Sequence, residues 1–441
     1  MGRITWTHKT LYASGSLAAN VLFATTNQWL MYRYVPPKGR ILVPLLVFSF
    51  IMGAGRLIDG VIDPLVGYWS DSLRTRWGRR RPFIVLGTPL LLVAFFFLWL
   101  PPDPHVSRAN TIFFICVVNV FFVLYTLVMI PMMSVLPEMA VGDKDRVSLS
   151  GVQMIFGLLG SIAAAMGSGM LIEKIGYRGM GISLGVLALI FYALAAIGIR
   201  EPDHSSREVK VPLGAAMAAT FKNKDFLAFA ASIVFFWMGF NMLLQITPYF
   251  LTQIMLMKEA EMWKIMAPFM GALLIAFPPV TFIAGRVSKK SMYSVCMAAL
   301  VVVFPLLMWV GRVKGVPLAV QGGVFMAAVG LAAFPVFIMP NAFLADLVDN
   351  DELRTGMRRE AVFFGVYCFL QKLAMAISVV MLGFLYNKYG YQSPHVLGIR
   401  LAGPVTGVCI ALGLAVFHFG YNCKPIEKAG ADTVESDHQK D

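Results

Sequence analysis

The sequence predicts an all-α integral membrane protein with twelve transmembrane helices in two pseudo-symmetric halves of six. Three observations predict it. Hydrophobic residues make up 58% of the 441-residue chain and charged residues only 14%, against about 25% charged in soluble domains. The apolar residues fall into twelve long stretches, each near the roughly 20 residues that cross a bilayer as a helix. The two halves also echo each other at an offset of just over 200 residues.

In order, the predicted spans of the first half are 10–34, 40–69, 82–101, 109–137, 148–173 and 179–199. Those of the second half are 225–256, 262–286, 290–310, 316–343, 360–387 and 396–421. The longest internal polar stretch, 200–224, separates them. The division is then a bundle over 1–199, a central loop over 200–224, a bundle over 225–421 and a polar, disordered tail over 422–441. The echo is clearest from Pro131 through Glu138, an acidic loop and Arg146, matched by Pro340 through Asp346, Asp349 and Arg354. A fainter one links Asp71 and its arginines to Arg286, Lys289 and Lys290.

An even number of spans puts both termini on one side. The formal charge of +13 sits largely in short loops between apolar runs, so it reads as topology and headgroup contact, not nucleic-acid binding. The densest block is Arg74, Arg76, Arg79, Arg80 and Arg81. By the positive-inside rule that side, with both termini, is cytoplasmic. The expected location is the cell (inner) membrane. The five cysteines follow no metal or disulfide spacing and read as packing residues. No Ser/His/Asp set, metal-ligand spacing or phosphate loop is present, so an enzyme is not expected.

Four charges stand inside apolar segments: Arg56, Asp59 and Asp63 on the second span and Lys372 on the eleventh. A charge at bilayer depth is costly unless paired or hydrated, so it marks an ion or substrate path. Spacings of three and four put the first three on one helix face. Two carboxylates one turn apart resist double ionisation, and a bound proton or Na⁺ relieves the repulsion. Lys372 or Arg56 could hold the pair when it is empty. The competing reading is a fixed salt-bridge network that only locks helices.

The run from Arg56 to Pro82 reads R-x-x-D-x-x-x-D-P-x-x-G followed by R-x-R-W-G-R. With Tyr125-Thr126, the Asp346/Asp349 segment and Lys372, it resembles the glycoside–pentoside–hexuronide:cation symporters (melibiose permease-like) of the major facilitator superfamily, along the whole chain. The resemblance implies a major-facilitator fold with the site between the halves. It implies a coupling-cation site at Asp59, Asp63 and Thr126, with Lys372 facing them. Sodium-using relatives often carry an asparagine just before the second carboxylate. This chain has Ile62, which removes an oxygen that a hard cation wants and leaves protonation untouched. Proton coupling is therefore favoured over Na⁺, and no cofactor is expected.

Where sugar-binding relatives hold hydroxyls with acids, an aromatic and an arginine, this chain has, at or beside those positions, Asn20, Met129, Met133 and Gln153. Tyr125, Asn241, Gln245 and Lys372 complete the candidate substrate contacts. Asn241 and Gln245, one turn apart, could equally be interhelical glue. The resemblance assigns Asp71, Arg79, Arg80, Arg81, Glu138, Arg146, Asp346 and Arg354 to latches between the halves. The expected activity is cation-coupled symport of a glycoside- or hexuronide-like solute, by a monomer whose other partners are membrane lipids. The alternatives are a carrier of an amphiphilic, lysolipid-like substrate, which suits the Met-rich fourth span, and a non-transporting sensor.

Overall fold

A computed structural model describes residues 5–140, 143–199, 222–284, 286–355 and 360–423. Its helices are α1 (Trp6–Tyr34), α2 (Leu45–Ser72), α3 (Arg81–Phe97), α4 (Arg108–Met139), α5 (Asp143–Ile162) and α6 (Ser168–Gly198), then α7 (Lys224–Tyr249), α8 (Trp263–Ala284), α9 (Lys289–Val303), α10 (Leu318–Thr355), α11 (Glu360–Tyr389) and α12 (Leu397–Gly420). In hydrocarbon every backbone polar group must be satisfied within the segment, which leaves the helix as the available solution for such spans. The expected central loop lies outside the described residues over 200–221, and the expected tail lies outside them from 424.

Several boundaries differ from the sequence expectation, each for a local reason. Residues 40–44 are not helical, and α2 starts after Pro44, whose fixed φ and missing N–H suit the edge of a helix better than its interior. Between α5 and α6 the helix winds through a π turn, Ala163–Gly167. The chain then reverses at Gly176, where φ is 69° and ψ is 177°, a conformation open mainly to glycine. The ninth span ends at Val303 and tightens into a 3₁₀ turn, Phe304–Met308. The largest correction is α10. It runs for 38 residues, about 57 Å at 1.5 Å per residue, and so outruns a hydrocarbon core of about 30 Å. Asp346, Asp349 and Arg354 lie on this helix and not in a loop. Likewise Asp71 falls in the last turn of α2.

Packing repeats between the halves. In the first, α1 packs on α5 and α6, α4 on α2 and α3, and α3 on α6. In the second, α7 packs on α11 and α12, α10 on α8 and α9, and α9 on α12. Each pair recurs six helices later. Across the seam α2 packs along α11 and α1 meets α7. The α2–α11 crossing is close because of glycine. A Cβ on Gly53 would stand 2.9 Å from Val380 Cγ2 and 3.3 Å from the Ala376 carbonyl oxygen. In lipid, such close small-residue packing replaces the hydrophobic drive available in water.

Among the described residues, one set of hydrogen bonds between the halves lies at the end away from the termini. The Tyr32 hydroxyl donates to Glu259 at 2.8 Å, and the Tyr249 hydroxyl donates to the Val35 carbonyl at 2.7 Å. Glu173 accepts from the Ala260 amide at 3.2 Å and faces Lys258 at 3.4 Å.

Candidate functional site

At mid-depth of the α2–α11 seam, helical spacing places Arg56, Asp59 and Asp63 on successive turns of α2. Lys372 of α11 reaches between the two carboxylates, with Nζ 2.9 Å from Asp59 Oδ2 and 2.7 Å from Asp63 Oδ1. It also donates to the Asp59 carbonyl at 3.3 Å. Gly60 lets α11 approach closely here: a Cβ there would stand 3.0 Å from the Phe369 ring, with Lys372 Cδ in ordinary contact at 3.6 Å. From α4, the Thr126 hydroxyl bonds Asp59 and lies 3.1 Å from Asp63 Oδ1. A hydroxyl carries one proton. Thr126 therefore donates to one carboxylate at a time, and can bond both only if the other is protonated.

The two acids differ in access. The Asp59 side chain is 2% exposed, whereas Asp63 and Lys372 are 17% and 20% exposed. Arg56 plays a different part from the one its sequence position implies. Its nearest approach to Asp59 is 4.0 Å. Its guanidinium instead lies 4.1 Å over the Phe122 ring and 4.9 Å over Phe23, and it donates to Asn27. Desolvated cation–π contacts of this kind are worth roughly 2 kcal/mol. This aromatic cage was not legible in the sequence, because Phe23 and Phe122 look like ordinary core residues there.

A small cavity of about 10 Å³, near the size of one water, lies beside this cluster among Asn27, Met52, Arg56, Asn241, Gln245 and Met375. It brings both α7 amides to the Arg56 face across the seam. Asn241 donates to the Trp237 carbonyl on its own helix at 2.7 Å. Gln245 donates to Ser378 at 3.3 Å, and its Oε1 is buried without a partner, as is Asn27 Nδ2. Buried amide groups left unpaired are costly, and this cavity holds two of them.

The other expected substrate contacts are scattered. Asn20 donates to the Ser16 carbonyl at 2.9 Å and sits near Ser161. The Tyr125 hydroxyl turns to the Ala19 carbonyl at 3.4 Å, with its ring stacked on Phe23. Met129 lies under the Tyr192 hydroxyl, Gln153 sits near the Tyr12 hydroxyl, which donates to the Met132 carbonyl, and Met133 is exposed. Of the expected latch residues, Arg80 pairs with Asp71 at 2.6 Å and bonds the Ser134 carbonyl, all within the first half. Asp346 pairs with Lys289 at 2.7 Å within the second. Arg146 caps the Ala140 carbonyl, and Arg354 is exposed. Arg79 and Arg81 flank Arg80, Arg79 before α3 and Arg81 in its first turn. The Glu138 side chain lies outside the described residues. The Tyr32–Glu259 contact was missed in sequence, where neither residue stood out from a helix end or a polar loop. Among the described residues no His/Cys/Asp/Glu cluster could hold a metal.

One helix-pairing scheme used twice, with a charged cluster at the seam, defines a multi-pass membrane transporter of the major facilitator class. The fold matches solved structures of that class. The nucleoside transporter NupG aligns at 14% identity with a TM-score of 0.66, covering 95% of this chain and 100% of that one. A bacterial homologue of the human lysosomal transporter Spinster, inward-facing and unoccupied, aligns at 12% identity and 0.68, covering 94% and 95%.

The profile of the family described as MFS/sugar transport protein matches residues 11–423, and the chain belongs to that family, within the glycoside–pentoside–hexuronide:cation symporters of the major facilitator superfamily. It is 23% identical to an isoprimeverose transporter of Lactiplantibacillus pentosus, over 89% of this chain and 82% of that one. It is also 23% identical to the sodium-dependent lysophosphatidylcholine symporter 1 of Gallus gallus, over 84% and 78%. The uncharacterized symporter YjmB of Bacillus subtilis matches at 23% over 99% and 96%.

Proposed function

We propose that the protein is a proton- or Na⁺-coupled symporter that moves a glycoside-like or hexuronide-like solute by alternating access, with Asp59, Asp63, Thr126 and Lys372 as its coupling site. The observation that carries this reading is the position of Lys372 Nζ between the two carboxylates, 2.9 and 2.7 Å away. The lysine is an internal counter-ion contributed by the opposite half. A proton or Na⁺ arriving at Asp63, the more accessible acid, competes with it. Displacing the lysine loosens the tie between α2 and α11 and so couples ion occupancy to movement of the halves. Ile62 beside Asp63 offers no side-chain oxygen, which favours the proton.

With the termini cytoplasmic, the Tyr32–Glu259 end faces outward, and the described conformation is the one closed on that side. The space where Asn241 and Gln245 meet Arg56 and Asn27 admits about one water in this conformation, so solute binds there once the seam opens. In proteoliposomes, solute-driven proton uptake should follow from a panel of glycosides and uronides, and should vanish in Asp59→Asn. Normal accumulation by both Asp59→Asn and Asp63→Asn would refute the assignment.

One observation favours a second reading. An apolar groove of about 570 Å³ runs along the membrane side of the α2–α11 seam, lined by Phe50, Ala54, Leu57, Leu373, Ile377 and Phe384 among others. It lies beside the charged cluster and would suit the acyl tail of an amphiphile whose head reaches Lys372. Uptake of a lysolipid, with silence across the sugars, would establish this reading in place of the first.

A further inference from the structure

The end of the molecule away from the termini carries a charged feature that the carboxylate pair does not use. A half-open cavity of about 580 Å³ lies there, beside the contacts that join the halves. Its volume is in the range of pockets that hold small solutes. Arg33, Lys38 and Arg40 of the first half and Lys258 of the second line it, with Glu259 as its acidic member. Glu259 already accepts from Tyr32, and Lys258 already faces Glu173. Among the described residues, no carboxylate pairs with Arg33, Lys38 or Arg40.

Arg33 is held in place by its neighbours, whereas Lys38 and Arg40 are exposed. The Arg33 guanidinium lies 4.9 Å over the Tyr177 ring, which itself stacks on Trp99 at 6.2 Å. Arg33 Nε is buried without a hydrogen-bond partner. The turn that carries Lys38 and Arg40 is set by Gly39 at φ 94°, open to glycine and strained for other residues. Arg33 and Arg40 also line an adjoining cavity of about 480 Å³ with Asp103, so they stand on the wall between two open cavities. Three cations without a paired carboxylate raise the local concentration of anions, and the two arginines offer forked donors to an oxyanion.

We propose that this cavity is an anion-binding vestibule for the carboxylate or phosphate group of a small acidic molecule, held by Arg33, Lys38 and Arg40 on one half and Lys258 on the other. Because its walls come from both halves, a bound oxyanion bridges them and favours the closed arrangement of this end. A neutral sugar gains nothing from it. The site is separate from the coupling residues, so it stands or falls apart from the proposed symport. A soluble acid and an anionic lipid headgroup carry the same chemistry and are separated by the test.

The test is thermal unfolding of the purified full-length protein in neutral detergent at constant ionic strength, titrated with inorganic phosphate, glucuronate or glucose. Phosphate and glucuronate are expected to raise Tm saturably, while glucose does not. Arg33→Gln/Arg40→Gln should weaken the anion response at least tenfold. Lys38→Gln, in an exposed turn, should weaken it several-fold even if the double variant fails to fold. In Asp59→Asn the anion response should persist while coupled uptake is lost. Repeating the titration in nanodiscs identifies the source. A response unchanged by phosphatidylglycerol supports a soluble acid, and one abolished by it supports a lipid headgroup in the same site. An equal response to glucose, or unchanged anion affinity in Lys38→Gln and the folded double variant, overturns the proposal.

Discussion

Lys372 of α11 and Asp63 of α2 meet at 2.7 Å, and this pair ties the two halves of the molecule at the depth where a free charge is least tolerable. The lysine serves both carboxylates, so a change to any member of the cluster is felt by the other two.

Removing an acid should separate folding from coupling. Asp59→Asn and Asp63→Asn each retain a polar group of the same shape and leave Lys372 one carboxylate partner. Each should express in the membrane at near wild-type level and lose at least 100-fold in concentrative uptake. Uptake into vesicles under an imposed proton gradient, normalised to protein by immunoblot, measures this.

Thr126→Ala should be milder. It removes a single hydrogen bond to a charged group, worth about 1.5–3 kcal/mol, and leaves the acids and the lysine in place. The apparent affinity for the coupling ion should fall about 10- to 100-fold, with the maximal rate largely kept. The ion dependence of initial uptake rates reads it.

Lys372→Met leaves two neighbouring carboxylates without their shared cation. Breaking a buried pair costs about 3–5 kcal/mol, but protonation of one carboxylate removes the repulsion. The penalty is therefore present at high pH and is relieved as pH falls. The Tm of the variant should lie well below wild type at pH 8 and approach it at pH 5, measured by thermal unfolding in detergent. A Tm difference independent of pH would contradict the charge argument.

Tyr32→Phe should unlatch the end away from the termini. The hydroxyl's 2.8 Å bond to Glu259 is made to a carboxylate, and its loss should shift the balance of conformations about 10-fold or more. Spin labels at Val106 and Val313, exposed in loops of opposite halves, should report a longer mean separation by pulsed dipolar spectroscopy.

Gly53→Leu tests the seam itself. The position has no room, with Val380 Cγ2 2.9 Å from the notional Cβ. Overpacking of this kind costs about 1–3 kcal/mol, and it should push α11 and Lys372 away from α2. A lowered Tm together with reduced coupled uptake is expected. Gly151→Leu, where nothing lies within 4 Å, is the control for stability.

The spans and the charged cluster were legible because they rest on rules that act locally. Apolar length marks a membrane helix, and spacings of three and four put Arg56, Asp59 and Asp63 on one face. Features that depend on three-dimensional approach were not legible. Phe23 and Phe122 became the cage of Arg56 only once α1, α2 and α4 met. The helical extension that carries Asp346, Asp349 and Arg354 looked like a loop because hydropathy stops reporting helix where the lipid stops. Asn241 and Gln245 were visible as a pair one turn apart, but their convergence with Arg56 on one cavity needed the packing of α7 against the first half.

The charge sum at the seam has an electrical consequence. Arg56 and Lys372 balance Asp59 and Asp63, so the empty site carries no net charge when all four are ionised. Its return stroke would then do no work against the membrane voltage. Loading one cation makes the moving unit +1, and a neutral solute leaves it so. The voltage then contributes about 2.3 kcal/mol per 100 mV to each cycle. A solute bearing one negative charge would cancel that sum and make transport electrically silent. The currents recorded with a neutral sugar and with its uronic acid would therefore differ even if both were carried equally fast.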